Sequence, residues 1–576
     1  MIILEAAADA LGPQLPQLGR EGVRALLELP PRPEMGDAAF PCFVLAKELR
    51  KAPAVIAAEL AVRLNASEEC AAAGIRGEAL GPYLNLIFAP AVWGPRIAAA
   101  ALDPDYGRSR DGSGKRVVID LSSPNIAKPF GVGHLRSTVI GAALANLYAA
   151  CGWEVVKVNH IGDWGTQFGK LIEAYKRWGD DARLAAEPIR ESLRLYVRFH
   201  EEAEQDPSLE TSARAWFKRL EEGDPEAERL WRFFVGVSLE EFDRVYERLG
   251  VEFDHVLGES FYNDKMAAVV DELRAKGLLE ESDGAQVVRL DAEGMPPCLI
   301  LKSDGTTIYP TRDLATAIYR RTVMGADRLL YVVGAEQTLH FKQVFAVLKR
   351  MGYEWAEACE HIPFGLMKVE GKKMSTRKGK VVFLDEVLDE AVRRAEEAAS
   401  VDGVEPGESR GAAEAVGIGA VIFGDLRGSR LSEIDFSLDE MLRFEGDTGP
   451  YVQYTHARTA SLLDKGKAAG IRLGSTGSPS HQGDAEASIG PEGWSCLKAV
   501  DAYPDAVREA VRLNEPSVAA RQLLEIAKAF NRFYRSRRVI TDDAAETAAK
   551  LRLTAAVSAV LRTGLGLLGV KAPERM

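Results

Sequence analysis

Residues 116–138 commit this chain to a β-α-β crossover. Arg116-Val-Val-Ile-Asp-Leu121 is short and rich in β-branched residues, the signature of a strand. It passes through a Pro/Gly turn into an apolar-periodic helix expected from Leu135, with Ile140, Leu144, Leu147 and Cys151 on one stripe, and a second strand follows Gly152. Such crossovers are right-handed and put ligands beyond the carboxyl ends of the strands. The loop 122–134 therefore faces a site, and the helix start behind it favours an anion.

The loop carries matching chemistry. Gly131 and Gly133 admit close backbone approach, and Lys128 and His134 supply donors suited to a triphosphate. Read alone, the glycines serve equally as turn formers and His134 as a packing residue.

A length of 576 residues suits roughly three or four domains, and 47% hydrophobic with 27% charged residues excludes a disordered or fibrous chain. No apolar run reaches the ~18 residues of a membrane span, and Met1-Ile-Ile-Leu-Glu5 lacks the basic start of a signal peptide, so the cytoplasm is the expected compartment. Six cysteines without a C-x-x-C pair argue against a zinc ribbon or a disulfide framework and predict reduced, buried thiols. A net charge of −13 gives no bulk support for nucleic-acid binding, which must use local patches. One candidate is Arg532, Arg535, Arg537 and Arg538 with Phe533 and Tyr534; a solvated helix face is the blander reading.

The pattern along the chain predicts three domains. Residues 1–108 read as a small α+β domain, with helices over 44–50 and 53–64 and an extended Tyr83–Phe88 segment, and 103–114 as a linker. Residues 109–439 read as an α/β domain with a parallel sheet, interrupted by a charge-rich helical insertion at about 180–291. Strands resume over 298–301 and 328–333, a helix follows over 339–351, and a further strand is expected over 381–384. Residues 440–576 read as all-α, broken by a Gly/Ser/Pro-rich stretch, 470–493, expected to be a mobile surface loop.

A second motif, Gly371-Lys-Lys-Met-Ser-Thr-Arg-Lys-Gly-Lys380, lies far downstream. Basic side chains around a flexible turn can stabilise charge developing on departing pyrophosphate.

An H-x-G-H-like loop early in a nucleotide fold and a KMSKS-like loop late in it resemble class I aminoacyl-tRNA synthetases. Within that class, SSPNIAKPFGVGHLRST (122–138), NHIGDWGTQFG (159–169), PTRD (310–313), KMSTRKG (373–379) and DTGPYVQYTHAR (447–458) look like the arginyl-tRNA synthetase family, over essentially the whole chain. The resemblance implies a Rossmann-type catalytic domain with helical insertion, a small α+β N-terminal domain and an all-α anticodon-binding domain. It implies activation of L-arginine with ATP, then transfer to the 3′-terminal adenosine of tRNA-Arg, with tRNA bound before the first step. Mg²⁺ would travel with ATP, without a metal site of protein ligands, and the protein would be a monomer with no membrane association.

A guanidinium is a planar fork of five donors, so a selective pocket needs carboxylates and neutral acceptors in its plane. By resemblance, Asp120, Asn125, Tyr309, Asp313 and Gln337 line that pocket. Asp313 and Asp120 would be guanidinium partners, Asn125 and Gln337 would lie near the α-amino and carboxylate groups, and Tyr309 would be a wall. Asp313 is alternatively a helix N-cap and Tyr309 a core residue. Ser123, Lys128, Gly131, Gly133, His134, Lys373 and Met374 would meet ATP, and Lys128, His134, Lys373, Ser375 and Arg377 would act in catalysis. His160, Gln167 and His340 read equally as ligand contacts or scaffold.

Two departures stand out. Gly131 replaces the first histidine of H-x-G-H, and Thr376 the second lysine of KMSKS. Backbone N–H groups at Gly131 offset the first loss in this reading; Lys128 offsets the second, helped by Arg377 or Lys378. For tRNA, the resemblance carries over Tyr451 and Tyr454, three apart on one helical face, with Tyr534 and the terminal Met576. Leu523, Ala527, Phe530 and Tyr534 share a stripe, which also reads as core. Met35-Gly-Asp37 and Gly81-Pro-Tyr-Leu-Asn85 resemble the family's domain that touches the tRNA elbow. Two rival readings are a non-catalytic tRNA-binding paralogue, suggested by Gly131 and Thr376, and a small-molecule nucleotidylyltransferase of the same fold.

Overall fold

Val117, Val118 and Ile119 are consecutive apolar residues, as a strand covered on both faces requires, and all three are buried. In this computed structural model, which describes every residue except 129, 370–371, 374–381, 401–405 and 472–487, they lie in the middle of a five-stranded parallel sheet. Its strands are β1 (Arg116–Asp120), β2 (Glu154–Asn159), β3 (His255–Val256), β4 (Arg328–Gly334) and β5 (Cys359–Phe364), in spatial order β5-β4-β1-β2-β3. Strand order reverses between β1 and β4, so the crevice at their carboxyl ends is the natural ligand position. Asp120, the last residue of β1, is in register with Tyr331 of β4 and Val158 of β2.

Helix α1 (Val132–Ala150) covers this sheet and starts three residues before the expected Leu135. Its stripe of Ile140, Leu144, Leu147 and Cys151 is buried, as is most of its remaining surface, because the C-terminal helices pack on its other side.

Several sequence expectations need correction. Cys298–Leu301 is a strand, but it pairs antiparallel with Ala285–Val288 in a separate three-stranded sheet; a short apolar run does not reveal which sheet it joins. The parallel edge strand is instead β5, which Glu360, His361 and Pro363 disguise as loop. The insertion is helical from Asp181 through Pro225–Leu249, but the chain rejoins the parallel sheet at β3, well before the expected end near 291. Downstream, 382–384 is no strand: Phe383 makes one isolated bridge to Gly131, and a helix begins at Leu384. The expected loop over 470–493 falls mostly outside the described residues, and its last four residues open the helix Gly490–Asp501.

The N-terminal part forms a three-stranded antiparallel sheet (Ala38–Pro41, Tyr83–Phe88, Ile75–Leu80) backed by helices. The helix expected over 44–50 is a 3-10 turn, Cys42–Leu45, followed by one helical turn, Ala46–Leu49. This part docks on the C-terminal helices through buried Asp37, whose carboxylate accepts from Phe88 N–H (2.8 Å), Trp494 Nε1 (3.0 Å) and Lys498 Nζ (2.7 Å). All six cysteines are buried and free. Among the described residues no helix is long and apolar enough to cross a membrane.

Candidate active site

The loop between β1 and α1 is held in a strained shape. Ser122, Ser123 and Ala127 have φ of 71°, 51° and 58°, a left-handed region that costs a non-glycine residue free energy and persists only when neighbours enforce it. The enforcement is visible. Ser122 N–H donates to Ser137 Oγ (3.0 Å), Ser123 N–H to Asn159 Oδ1 (3.1 Å) and Ala127 N–H to Ser238 Oγ (3.0 Å). Tyr246 Oη lies 2.7 Å from Ser122 Oγ and accepts from Asn159 Nδ2 (3.0 Å). Ser238 and Tyr246 belong to the insertion helix Pro225–Leu249, so the insertion braces the loop. Asn125 bridges to Gly162, and a Cβ at 162 would lie 2.3 Å from Asn125 Oδ1, so any larger residue there must push the Asn125 side chain aside.

On the phosphate side, Gly131 is the N-cap of α1, and its N–H donates to His134 Nδ1 (3.2 Å). That bond assigns the imidazole proton to Nε2. It also corrects one expectation: the Gly131 amide is committed to His134 rather than free to replace the missing histidine. Burial pushes the His134 pKa down to about 4, and the Lys128 charge acts in the same direction, so the ring is neutral at pH 7. Gly133 is exposed at the helix start.

The described flanks of the basic motif are tied in through backbone. Leu384 N–H donates to the Phe130 carbonyl (2.9 Å), fixing the chain just after the motif to the β1–α1 loop. Upstream, Lys372–Lys373 pairs antiparallel with Met367–Val369, which runs parallel to Ile434–Phe436. Arg136 on α1, 1% exposed, grips this stem by donating to the carbonyls of Gly365 and Ser432 (2.8 Å each) and pairing with buried Asp425 at 2.9 Å. Met374, Ser375, Thr376, Arg377 and Lys378 lie outside the described residues.

The other side of the crevice is a cluster of charges. Asp120 is buried; its Oδ1 accepts from Ser123 Oγ (2.7 Å) and its Oδ2 pairs with Arg320 at 2.8 Å. Arg320 is fully buried, with the Tyr331 ring 5.2 Å from Cζ. Asp313 lies two turns earlier on the same helix, Tyr309–Thr322, and its Oδ2 is 2.5 Å from His340 Nε2. The N-cap of that helix is Ile308, so Asp313 is not a cap. Tyr309, its first residue, is 61% exposed and therefore no core residue. Behind it, Arg312 pairs with Glu259 at 3.6 Å; burial pushes the Glu259 carboxyl up to about 7, opposed by Arg312 and reinforced by Asp163 and Asp313.

His160 faces the same cluster. Among the described residues its buried Nδ1 has no hydrogen-bond partner; its ring is 5.5 Å from that of Tyr262, and burial lowers its pKa. Gln337, exposed, sits at the start of Thr338–Arg350, three residues before His340. Gln167 is turned away, its Nε2 donating to the Trp164 carbonyl at 2.9 Å. The crevice thus gathers Asp120, Ser123, Asn125, His160, Asp313 and His340. Arg320, Tyr246, Asn159, Arg312 and Glu259 were not singled out from sequence. The one available signal was spacing, since Asp313, Ala317 and Arg320 repeat as i, i+4, i+7 on one face.

On the helical domain, Tyr454 and Tyr534 are 42% and 39% exposed, and the Arg458 guanidinium lies between them, 4.8 and 4.9 Å from the two rings. Tyr451 is half-buried against the core. Leu523, Ala527 and Phe530 are buried, while Tyr534 emerges from their stripe. Phe533 is buried too, so the basic segment around it presents one aromatic ring rather than two. Met576 packs against Ala395, Ala413 and Val416.

A Gly/His loop at the switch point of a parallel sheet, the described flanks of a basic motif tied to it, and a helical domain behind are the architecture of a class I aminoacyl-tRNA synthetase. Residues 98–438 match the family described as tRNA synthetases class I (R), catalytic domain; residues 452–576 match the DALR anticodon binding domain, and 2–88 the arginyl tRNA synthetase N terminal domain. The chain is 49% identical over 562 residues to arginine--tRNA ligase 1 of Bacillus cereus, covering 97% of each, and 49% identical over 570 residues to arginine--tRNA ligase of Exiguobacterium sibiricum, covering 99% and 98%. The solved arginyl-tRNA synthetase of Thermus thermophilus superposes with a TM-score of 0.79 at 28% identity, covering 99% of both chains. That of Plasmodium falciparum shares the fold, with a TM-score of 0.74 at 22% identity over 96% of this chain and 94% of that one. The chain belongs to the arginyl-tRNA synthetase family.

Proposed function

We propose that this protein joins L-arginine to tRNA-Arg in two substitutions. The arginine carboxylate attacks the α-phosphorus of ATP in line, forming arginyl-adenylate as pyrophosphate leaves; a ribose hydroxyl of the terminal adenosine then takes the arginyl group and releases AMP. No side chain forms a covalent intermediate, so catalysis rests on positioning and charge stabilisation. One observation carries this reading. The carboxylate cluster suited to a guanidinium and the loop suited to phosphate share a residue, Ser123, whose Oγ donates to Asp120.

Asp313 and Asp120 form the guanidinium end, with Tyr309 as its wall and Asn125 and Gln337 toward the backbone groups of the substrate. Of the two carboxylates Asp313 is the more open. His134 offers an Nε2–H donor to phosphate, Lys128 supplies the charge, and Ser123, Gly131 and Gly133 line the ATP path. Lys373, Met374, Ser375 and Arg377 complete it from the basic loop. Among the described residues no group of three or more His, Cys, Asp or Glu is placed to hold a metal; Mg²⁺ would arrive on the ATP phosphates. Tyr451, Tyr454, Tyr534 and Met576 form the anticodon end. The domain partition at residues 108 and 439, a monomeric state and a cytoplasmic location complete the proposal.

ATP–pyrophosphate exchange with arginine, measured with and without tRNA-Arg, tests it. Exchange with arginine in the presence of tRNA is expected. Exchange driven by another amino acid would refute the substrate, and none under either condition would favour the non-catalytic paralogue.

A further inference from the structure

We infer that Arg320 is a specificity-positioning residue of the arginine pocket, an internal guanidinium that holds Asp120 and leaves Asp313 as the carboxylate an incoming guanidinium must satisfy. The inference rests on the pocket assignment above, narrows the direct guanidinium partner within it to Asp313, and extends it to a residue outside that set. Two carboxylates stand at the crevice, and their partners differ. Asp120, 5% exposed, is cancelled inside the fold by a cation that is itself 1% exposed and 2.8 Å away. Asp313, about one-fifth exposed, faces the His340 imidazole.

The pair is a close ion contact enclosed by aromatic rings. The Arg320 guanidinium lies against the Tyr331 ring at 5.2 Å and beside Tyr262, at the end of a carboxylate whose other oxygen is fixed by Ser123. Arginine is the residue suited to such a buried, ring-lined carboxylate site because its guanidinium is planar and stays charged. Acting through Asp120, it sets the rotamer that fixes Ser123 and removes one negative charge from the pocket. Without Arg320, both carboxylates would compete for the substrate's one guanidinium. Without Asp120, the stranded Arg320 charge would repel that substrate.

The test is ATP–pyrophosphate exchange by the full-length protein with tRNA present. In Arg320→Ala, the arginine KM is expected to rise tenfold or more while the ATP KM stays within twofold. Millimolar guanidinium chloride should restore the arginine KM, whereas equal sodium chloride should not, and guanidinium should not lower the KM of the wild type. An Asp120→Asn/Arg320→Met double variant removes both charges and should have an arginine KM closer to wild type than Asp120→Asn alone. An unchanged arginine KM in Arg320→Ala overturns the inference; so does a joint rise of both KM values with a falling Tm and no rescue. If Arg320→Ala does not fold, a double variant no better than Asp120→Asn overturns it. Absence of arginine-dependent exchange in the wild type would overturn the functional reading and this inference together.

Discussion

The backbone N–H of Val132 donates to the carbonyl of Val382 across 3.2 Å, joining residues 250 positions apart at the mouth of the crevice. The first turn of α1 and the exit of the basic motif therefore form one piece of backbone.

That junction sharpens the role of Lys128. The Gly131 amide is spent on His134, so in the proposed mechanism the charge missing from the two altered motif positions is supplied by Lys128. Lys128→Ala is expected to slow arginine-dependent pyrophosphate exchange on the order of 10²–10³-fold, the scale of losing one preorganised charge-stabilising group. The arginine KM should stay nearly constant. Equal losses in both parameters would contradict the assignment.

Gly162 tests the other half of the site. A methyl group there meets Asn125 Oδ1 at 2.3 Å and must displace the Asn125 side chain. Gly162→Ala should raise the arginine KM or lower kcat by on the order of 10²-fold, because small misplacements of positioning groups carry such costs. Steady-state exchange with saturating ATP reads this directly, and an unaltered rate would place Asn125 away from the substrate.

Tyr246 measures how much the insertion contributes to the strained loop. Tyr246→Phe removes the hydroxyl shared by Ser122 and Asn159, leaving buried polar groups without their partner. A stability loss of about 1–3 kcal/mol is expected from denaturant unfolding. Relaxation of Ser122 and Ser123 should lower kcat as well.

Glu259 gives a pH signature. Its carboxyl titrates at about 7 in the folded protein against the usual 4.5, so the folded form keeps a proton that the unfolded chain loses. Below pH 4.5 both states are protonated and the group has no effect. As pH rises from about 4.5 to about 7 the folded state loses stability, by roughly 3 kcal/mol at full ionisation. The Tm of Glu259→Gln relative to wild type should therefore climb across that window. A difference that stays flat would show that Arg312 compensates the charge fully.

At the distant end, Tyr454 and Tyr534 are half-open rings flanking Arg458. Stacking on an unpaired base is worth about 1–3 kcal/mol, so replacing either by alanine should raise the tRNA KM about tenfold or more. The thermal midpoint should barely move, since neither ring is core.

The sequence was most transparent where pattern and chemistry coincide locally. The β1 strand, the turn at Gly131 and the strand at Cys298, though not the sheet it joins, were readable from short windows. Interactions between distant segments were hidden. Arg320 sits in Tyr319-Arg-Arg-Thr322, which looks like a solvated helix end, and only its meeting with Asp120, 200 residues earlier, makes it interior. Tyr246 and Ser238 belong to a charge-rich helix with no local sign that it leans on the site. Glu259 acquires its raised pKa from burial, which composition does not reveal.

Asp37 has a consequence for recombining such chains. Its carboxylate is held by Phe88 from its own domain and by Trp494 and Lys498 from the far end of the sequence. The first and last modules are thus jaws of one caliper, their spacing fixed without passing through the catalytic sheet. A graft of the N-terminal module from a relative would have to bring a carboxylate at position 37 to meet Trp494 and Lys498, or the caliper would lose its calibration.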